Sequence, residues 1–448
     1  MKRLTVPAIL IGLTLGARPG AGAPARAVPP PVQAARSQAQ ATPDLFGQLL
    51  GKSDTEVSRK IDAAWRQLFY GEDATQRVFY PVPGDMAYIA DIANQDVRTE
   101  GMSYGMMIAV QLGHRKEFDE LWRFAKRHMY HDSGPYRGYF AWHTDFSGRP
   151  LDQGPAPDGE EWFAMALFFA SHRWGDGTGI FDYGAEAQAI LHTMLHKDSD
   201  PARDGVSDMF DPRSRLVVFG PGGPAAHFTD PSYMLPAFYE LWARWAAAPA
   251  DRAFFAASAR ASRALWKRAA NPRTGLMPDY CHFDGTPVAL GGHGIFEYDA
   301  WRTLSYPAWD YSWWAADRWE VAQSDRVLRF FSRRHPHCPG RLELDGTPVS
   351  TEQSKGLCAM EACAGMAADP TLARPFVRRL WEMKTPEGRF RYYDGLLMML
   401  GLLECGGRFR IYAPRAGGAE RSSAPASVPP AATARATGQH APSGSASG

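Results

Sequence analysis

Apolar residues recur at helical spacing through most of residues 44–413 of this 448-residue chain, and that pattern restricts the fold more than any other feature. Twelve segments carry it, near 54–69, 99–112, 115–129, 159–174, 182–196, 230–246, 251–269, 299–316, 320–334, 354–368, 371–383 and 391–404. Several have start signals: Ser53 and Asp54 before the first, Asp158 before the fourth and Asp251 before the seventh. The connectors hold Gly, Pro and short extended pieces such as Arg215–Phe219 and Val288–Leu290, and no alternating run is long enough for a large sheet. Twelve helices in this length predict an all-α fold: six helical hairpins closed into a double ring, an (α/α)6 barrel with a few short strands in its loops. The alternative is an open solenoid, which the lack of a clear short repeat disfavours. In a closed double ring the loops at one end form a long cleft, and polar residues at inner-helix N-termini point into it.

The two ends of the chain read differently from this middle. Residues 1–27 have the form of a secretion signal: Lys2 and Arg3, an apolar core from Leu4 to Leu15, then small residues with cleavage after Ala23 or Ala27. Residues 28–43 form a flexible leader, 44–413 the folded domain, and 414–448 a disordered low-complexity tail of Ala, Ser, Gly and Pro. The expectation is a secreted or periplasmic monomer with no membrane attachment after signal removal. A net charge of +1 supplies no field to draw nucleic acid or an anionic membrane. Aromatic residues at 12%, including 14 Trp and 17 Tyr, suit a groove that stacks flat, uncharged sugar rings. Five cysteines cannot all pair and none has a metal-site spacing. Cys358 and Cys363 read as buried thiols, and an oxidising compartment would allow one disulfide.

Three carboxylate motifs stand out. In Thr99-Glu100-Gly101-Met102-Ser103-Tyr104-Gly105, Glu100 lies at the mouth of a small-residue helix that Met106–Leu112 marks as buried. A partly desolvated carboxyl keeps its proton near neutral pH, as a general acid requires. Asp158, with Glu161 three residues on, sits at a helix start in a capping-box-like arrangement; it either caps the helix or faces the cleft, where the helix end keeps it ionised. Asp299 and Arg302 are one helical turn apart, so the guanidinium can fix and charge the carboxylate. Alone this would be a surface ion pair, but Tyr306, Trp309, Tyr311, Trp313 and Trp314 follow in a density that one helix face cannot bury. The 13 histidines form no HExxH or similar motif and read as structural or surface residues. Gly220–Gly223 is a turn, Ser103 lacks nucleophile partners, and Arg333-Arg334-His335 is a solvated helix end.

These motifs together resemble glycoside hydrolase family 8, inverting enzymes with an (α/α)6 barrel that cut β-1,4-linked polysaccharides. The Glu100 segment resembles the family's general-acid motif and Tyr298-Asp299-Ala300-Trp301-Arg302 its general-base segment. Ala156-Pro157-Asp158-Gly159-Glu160 resembles its signature, with Pro157 where Ser or Thr is usual. The resemblance covers about 44–412, with the motifs in the family's order. His131–Tyr136, Tyr139–Trp142, Asp230–Pro236 and Arg391–Tyr412 are most similar to xylan-acting members, although Met234 stands where histidine is expected. One subgroup, which releases xylose from the reducing end, blocks its cleft with Leu-His-Pro before a helix beginning Gly-Leu. Here Glu352-Gln353-Ser354-Lys355 precedes Gly356-Leu357, and His335-Pro336 lies nearby.

The resemblance implies an acid and a base about 6.5–9.5 Å apart. Glu100 would protonate the departing oxygen, Asp299 would activate water, and Asp158 would grip the distorted sugar. Arg302 would orient Asp299, and Tyr233 would position the water. Trp142, Trp162, Tyr311 and Tyr393 are candidates for stacking sugars. The implied activity is cleavage of β-1,4-xylosidic bonds in xylan or xylo-oligosaccharides, endo or reducing-end exo, with no cofactor and no metal. β-1,4-glucanase or chitosanase chemistry is the alternative, and a non-catalytic carbohydrate-binding protein the remote one.

Overall fold

The computed structural model describes residues 41–337 and 339–414. The signal segment, most of the leader, nearly all of the tail and Cys338 lie outside the described residues. Thirteen α-helices are present among them. Six form the inner ring: α3 (Thr99–Leu112), α5 (Pro157–Trp174), α7 (Pro236–Trp245), α9 (Tyr306–Trp314), α11 (Lys355–Ala364) and α13 (Arg391–Cys405). Each packs against one outer helix: α4 (Arg115–Phe124), α6 (Tyr183–His196), α8 (Pro249–Ala269), α10 (Trp319–Ser332), α12 (Pro370–Glu382) and, for α13, α2 (Asp54–Tyr70). The last hairpin therefore pairs the end of the chain with its beginning. A short α1 (Leu45–Leu50) packs on α12. Thr42 N–H donates to Phe409 O at 3.0 Å and Ala41 bridges Arg410, so the fold begins before the expected boundary at 44.

Burial separates the rings. Every residue of α3 from Gly101 to Gln111 is buried, as is every residue of α5 from Pro157 to Ala170. The outer α2 buries one stripe, Val57, Ile61, Ala64, Trp65 and Leu68, and is started by a capping box between Ser53 and Glu56. The ring centre is filled. Trp162 of α5 meets Tyr104 of α3, Phe238 of α7, Trp309 of α9 and Phe409, with centroids 4.9–6.4 Å apart. A plugged centre leaves the helix ends as the place for a site.

Two predicted helices are each split, for one reason. Residues 230–246 become a 3₁₀ turn, Pro231–Tyr233, followed by α7 beginning at Pro236, and 299–316 become a 3₁₀ stretch, Tyr298–Leu304, followed by α9 with Pro307 in its first turn. Proline lacks an N–H and is best placed in a first turn, so at Pro231, Pro236 and Pro307 the helix restarts. Pro157 and Pro249 likewise open α5 and α8, which puts Asp158 and Asp251 inside the first turn rather than at the cap. Arg215–Phe219 and Val288–Leu290 form no sheet; Val217 and Pro287 make isolated bridges only. The sheet lies elsewhere. Four antiparallel strands, β1 (Phe79–Val82), β2 (Met86–Asp91), β3 (Asp96–Arg98) and β4 (His143–Thr144), pair in that order, and β3 runs directly into α3. Among the described residues no helix is long and apolar enough to cross a membrane.

Candidate active site

At one end of the barrel the inner helices present their N-termini, and a buried arginine joins them. Arg302, on the 3₁₀ stretch before α9, is fully buried. Its Nη1 donates to Asp158 Oδ2 at 2.9 Å, to Tyr104 Oη at 2.6 Å and to Glu100 Oε2 at 3.2 Å. Its Nη2 donates to Ser232 Oγ at 2.8 Å and pairs with Asp299 Oδ1 at 3.1 Å, with Asp230 Oδ2 at 3.9 Å. The planar fork thus places the Glu100 and Asp158 carboxylates on one nitrogen and the Asp299 carboxylate on the other.

Glu100 is delivered by the β3–α3 junction. Thr99 N–H donates to Trp142 O at 2.9 Å, and no side chain caps the helix. Tyr392 Oη donates to Glu100 Oε1 at 2.9 Å. The tyrosine comes close because Gly101 offers no side chain: a Cβ there would lie 2.4 Å from the Tyr392 ring. Burial pushes the Glu100 carboxyl up to about 8, with Arg302 pulling the other way. Asp158 is also raised, by burial more than Arg302 and the Gly159 N–H lower it, so the helix end does not hold it at its ordinary value. The capping-box arrangement does not form either. Asp158 Oδ1 accepts from Gly159 N–H, while Glu161 turns inward to accept from Tyr239 Oη and Glu160 accepts from Phe140 N–H.

Asp299 is the more exposed carboxylate, with 29% of its side chain accessible. Behind it, Asp279 Oδ1 accepts from Ala300 N–H at 2.9 Å and Asp279 Oδ2 meets His293 Nδ1 at 2.7 Å. Oxygens of Asp230, Asp279 and Asp299 lie within 4.8 Å of one another, as do donors of Asp279, His293 and Glu297. The Arg302 charge beside Asp299 and Asp230 opposes a cation there and suits a water or a sugar hydroxyl. The cleft above, about 730 Å³, is lined by Glu100, Asp299, Tyr298, Trp301, Tyr392 and Tyr393, with Asn94 and Arg98 from the sheet and Arg341, Glu352, Gln353 and Phe390 from later loops.

Family comparison agrees with this geometry. The sequence model described as Glycosyl hydrolases family 8 matches residues 87–407. The chain is a glycosyl hydrolase of family 8. It is 44% identical over 370 residues to the reducing-end xylose-releasing exo-oligoxylanase Rex8A of Paenibacillus barcinonensis, covering 82% of this chain and 95% of that one. It is 38% identical to a reducing end xylose-releasing exo-oligoxylanase of Halalkalibacterium halodurans, covering 81% and 93%. A solved family 8 xylobiose complex from Teredinibacter turnerae superposes with a TM-score of 0.80 at 43% identity, covering 84% of this chain and 98% of the other.

In this family 8 hydrolase, Glu100, Asp158, Asp299 and Tyr233 gather around Arg302. Tyr233 is 5% exposed, with its ring 5.9 Å from both the Arg302 guanidinium and the parallel Phe219 ring. Met234 faces α8, where its sulfur accepts from Ser262 Oγ at 3.3 Å. The stacking candidates divide. Tyr393 lines the cleft, its hydroxyl donating to Tyr298 O at 3.2 Å. Trp142 is half-buried beside the cleft residue Arg98, 5.4 Å from the guanidinium to the ring. Trp162 is a correction: it is the aromatic plug and has no face left for a sugar. Tyr311 is another. It lies more than a turn beyond the α9 N-terminus, outside the cleft lining.

Sequence reasoning missed Tyr104 and Ser232, which bond Arg302, Tyr392, which donates to Glu100, Asp279, which accepts from Ala300 N–H, and the exposed cleft aromatics Phe390 (66%) and Tyr298 (43%). Tyr104 was legible as the residue one turn from Glu100 on the same helix. Asp279 carries no local signal, because it sits in a connector.

Proposed function

We propose that the enzyme hydrolyses β-1,4-xylosidic bonds of xylo-oligosaccharides with inversion, releasing xylose from the reducing end. Glu100 is the general acid, protonating the departing oxygen; its raised pKa supports this role. Asp299 is the base, open to the cleft and held by Arg302, and takes a proton from the attacking water. Asp158 accepts sugar hydroxyls at the cleavage point, and Tyr233 helps position the water. The observation that carries the reading is the Arg302 fork, which sets the acid and the base on its two terminal nitrogens rather than against each other. An inverting hydrolase needs its acid and base held apart, with room for a water beneath the sugar.

The xylo-oligosaccharide reading rests on relatives of that name that align over nearly their whole length. A second reading, endo cleavage of polymeric xylan, is favoured by the cleft wall. Exposed Glu352 and Gln353 stand there in place of a Leu-His-Pro block, and His335-Pro336 lies in an adjoining crevice that shares Gln353 and Ser354 with the cleft. Proton NMR of xylohexaose hydrolysis tests both points. The expected result is xylopentaose whose new reducing end is the α anomer at the first time points, with xylose as the co-product. A new reducing end formed as the β anomer overturns inversion, and early mid-chain products establish the endo reading. Export is part of the proposal, supported by Lys2, Arg3 and the apolar run Leu4–Leu15; the N-terminal sequence of protein recovered from outside the cell tests it.

A further inference from the structure

Away from the cleft, two outer helices bring together three side chains suited to a metal. His192 and His196 lie one turn apart on α6, with ring centroids 4.6 Å apart. Asp251, in the first turn of α8, reaches across so that its Oδ1 is 2.9 Å from His196 Nε2. One donor atom from each of the three lies within 4.8 Å of the others. Tetrahedral zinc with Zn–N near 2.0–2.1 Å separates its donors by about 3.4 Å, a spacing these distances bracket. His192 is the exposed member of the three. Asp251 is largely buried, and His196 is its only ion-pair partner among the described residues.

We propose that His192, His196 and Asp251 form a binding site for a zinc-class divalent ion that ties α6 to α8, with water in the fourth position. Two imidazoles and one carboxylate select zinc over magnesium or calcium, which prefer all-oxygen sites. The sequence hides the site because HxxxH lacks the intervening glutamate of the common motif, and the third ligand lies 55 residues on. None of the three residues lines the cleft.

The test is calorimetric titration of the untagged full chain with zinc chloride, alongside His192→Ala and His196→Gln. The proposal expects one site per chain with Kd of about 10 μM or tighter, weakened at least tenfold in either variant. It also expects a rise in Tm of about 3 °C at a hundredfold excess of zinc over Kd, absent in His192→Ala. Cobalt(II) should give tetrahedral visible bands that the same variant loses. Magnesium should give none of these effects. Hydrolytic activity should be equal in His192→Ala and wild type, which separates this site from the catalytic proposal. No zinc binding, or binding unchanged in His192→Ala, overturns it.

Discussion

Two buried arginines in this protein are each surrounded by carboxylates, and only one of them belongs to the proposed active site. Arg263 of α8 forms a bidentate pair with Asp310 of α9, at 2.6 and 2.9 Å, and bonds Glu240 of α7 at 2.9 Å, with Glu320 of α10 at 3.8 Å. Arg302 gathers Glu100, Asp158, Asp299 and Asp230 in a comparable way. Both clusters contain a carboxyl that burial pushes up, Glu320 to about 11 and Glu100 to about 8. The difference is access. No member of the Arg263 cluster lines the cleft, whereas Glu100 and Asp299 do. A perturbed carboxyl beside an arginine is therefore not a catalytic signature by itself; the open cleft above it makes the distinction.

Glu100→Gln breaks the active cluster most sharply. It should lower kcat on unactivated xylo-oligosaccharides by about 10³-fold or more, since the amide cannot give up a proton. Folding should survive, because the glutamine keeps its bonds with Tyr392 and Arg302, and Tm should stay level or rise once a desolvated carboxyl is gone. Activity near that of wild type would remove Glu100 from its assigned role. Replacing each arginine sharpens the contrast. Arg302→Lys should cost roughly 10²-fold in kcat, because a point charge cannot span four carboxylates as the planar fork does. Arg263→Met should leave kcat per folded molecule unchanged but cost about 3–5 kcal/mol of stability by stranding Asp310. Denaturant unfolding and steady-state kinetics on both variants give the comparison directly.

The pH dependence distinguishes the clusters without mutation. Glu100 must be protonated to act, so kcat/KM should fall as pH rises through about 8. The stability effect has the same sign. Between the ordinary value of 4.5 and about 8, the unfolded chain ionises this group and the folded chain does not, so stability falls as pH rises across that window. Glu100→Gln should make that fall shallower, leaving the part that Glu320 contributes, while Arg263→Met should leave the alkaline limb of kcat/KM in place.

The twelve helices were legible because inner and outer faces both follow the helical period. Their breaks at Pro231, Pro236 and Pro307 were legible too, had proline been given its full weight against apolar spacing. The small sheet was not, since β3 and β4 are only three and two residues long and their pairing joins segments far apart in the chain. In the site, Glu100 and Asp299 could be read from their local settings. Asp279 and Tyr392 could not, because what makes them part of the site is contact with Ala300 and Glu100 across the barrel end. Trp162 shows the opposite error. Its motif neighbours Asp158, but Trp162 lies one turn further along the same buried face of α5, where it fills the ring centre instead of reaching the cleft.

The smallest effect concerns the aromatics, where access again separates roles. Phe390 is 66% exposed and lines the cleft beside Arg389, so its ring contributes little to the core. If a ring stacked on a sugar contributes as much as one in an aromatic pair, about 0.5–1.5 kcal/mol beyond area burial, binding changes about 2- to 12-fold. Phe390→Ala should therefore raise KM for xylotetraose within that range while kcat and Tm stay near wild type. Phe390→Tyr should restore KM, since the flat face is what the sugar needs. A large fall in kcat with KM unchanged would instead place Phe390 with the Arg302 cluster, acting on the geometry of the reacting groups and not on the sugar.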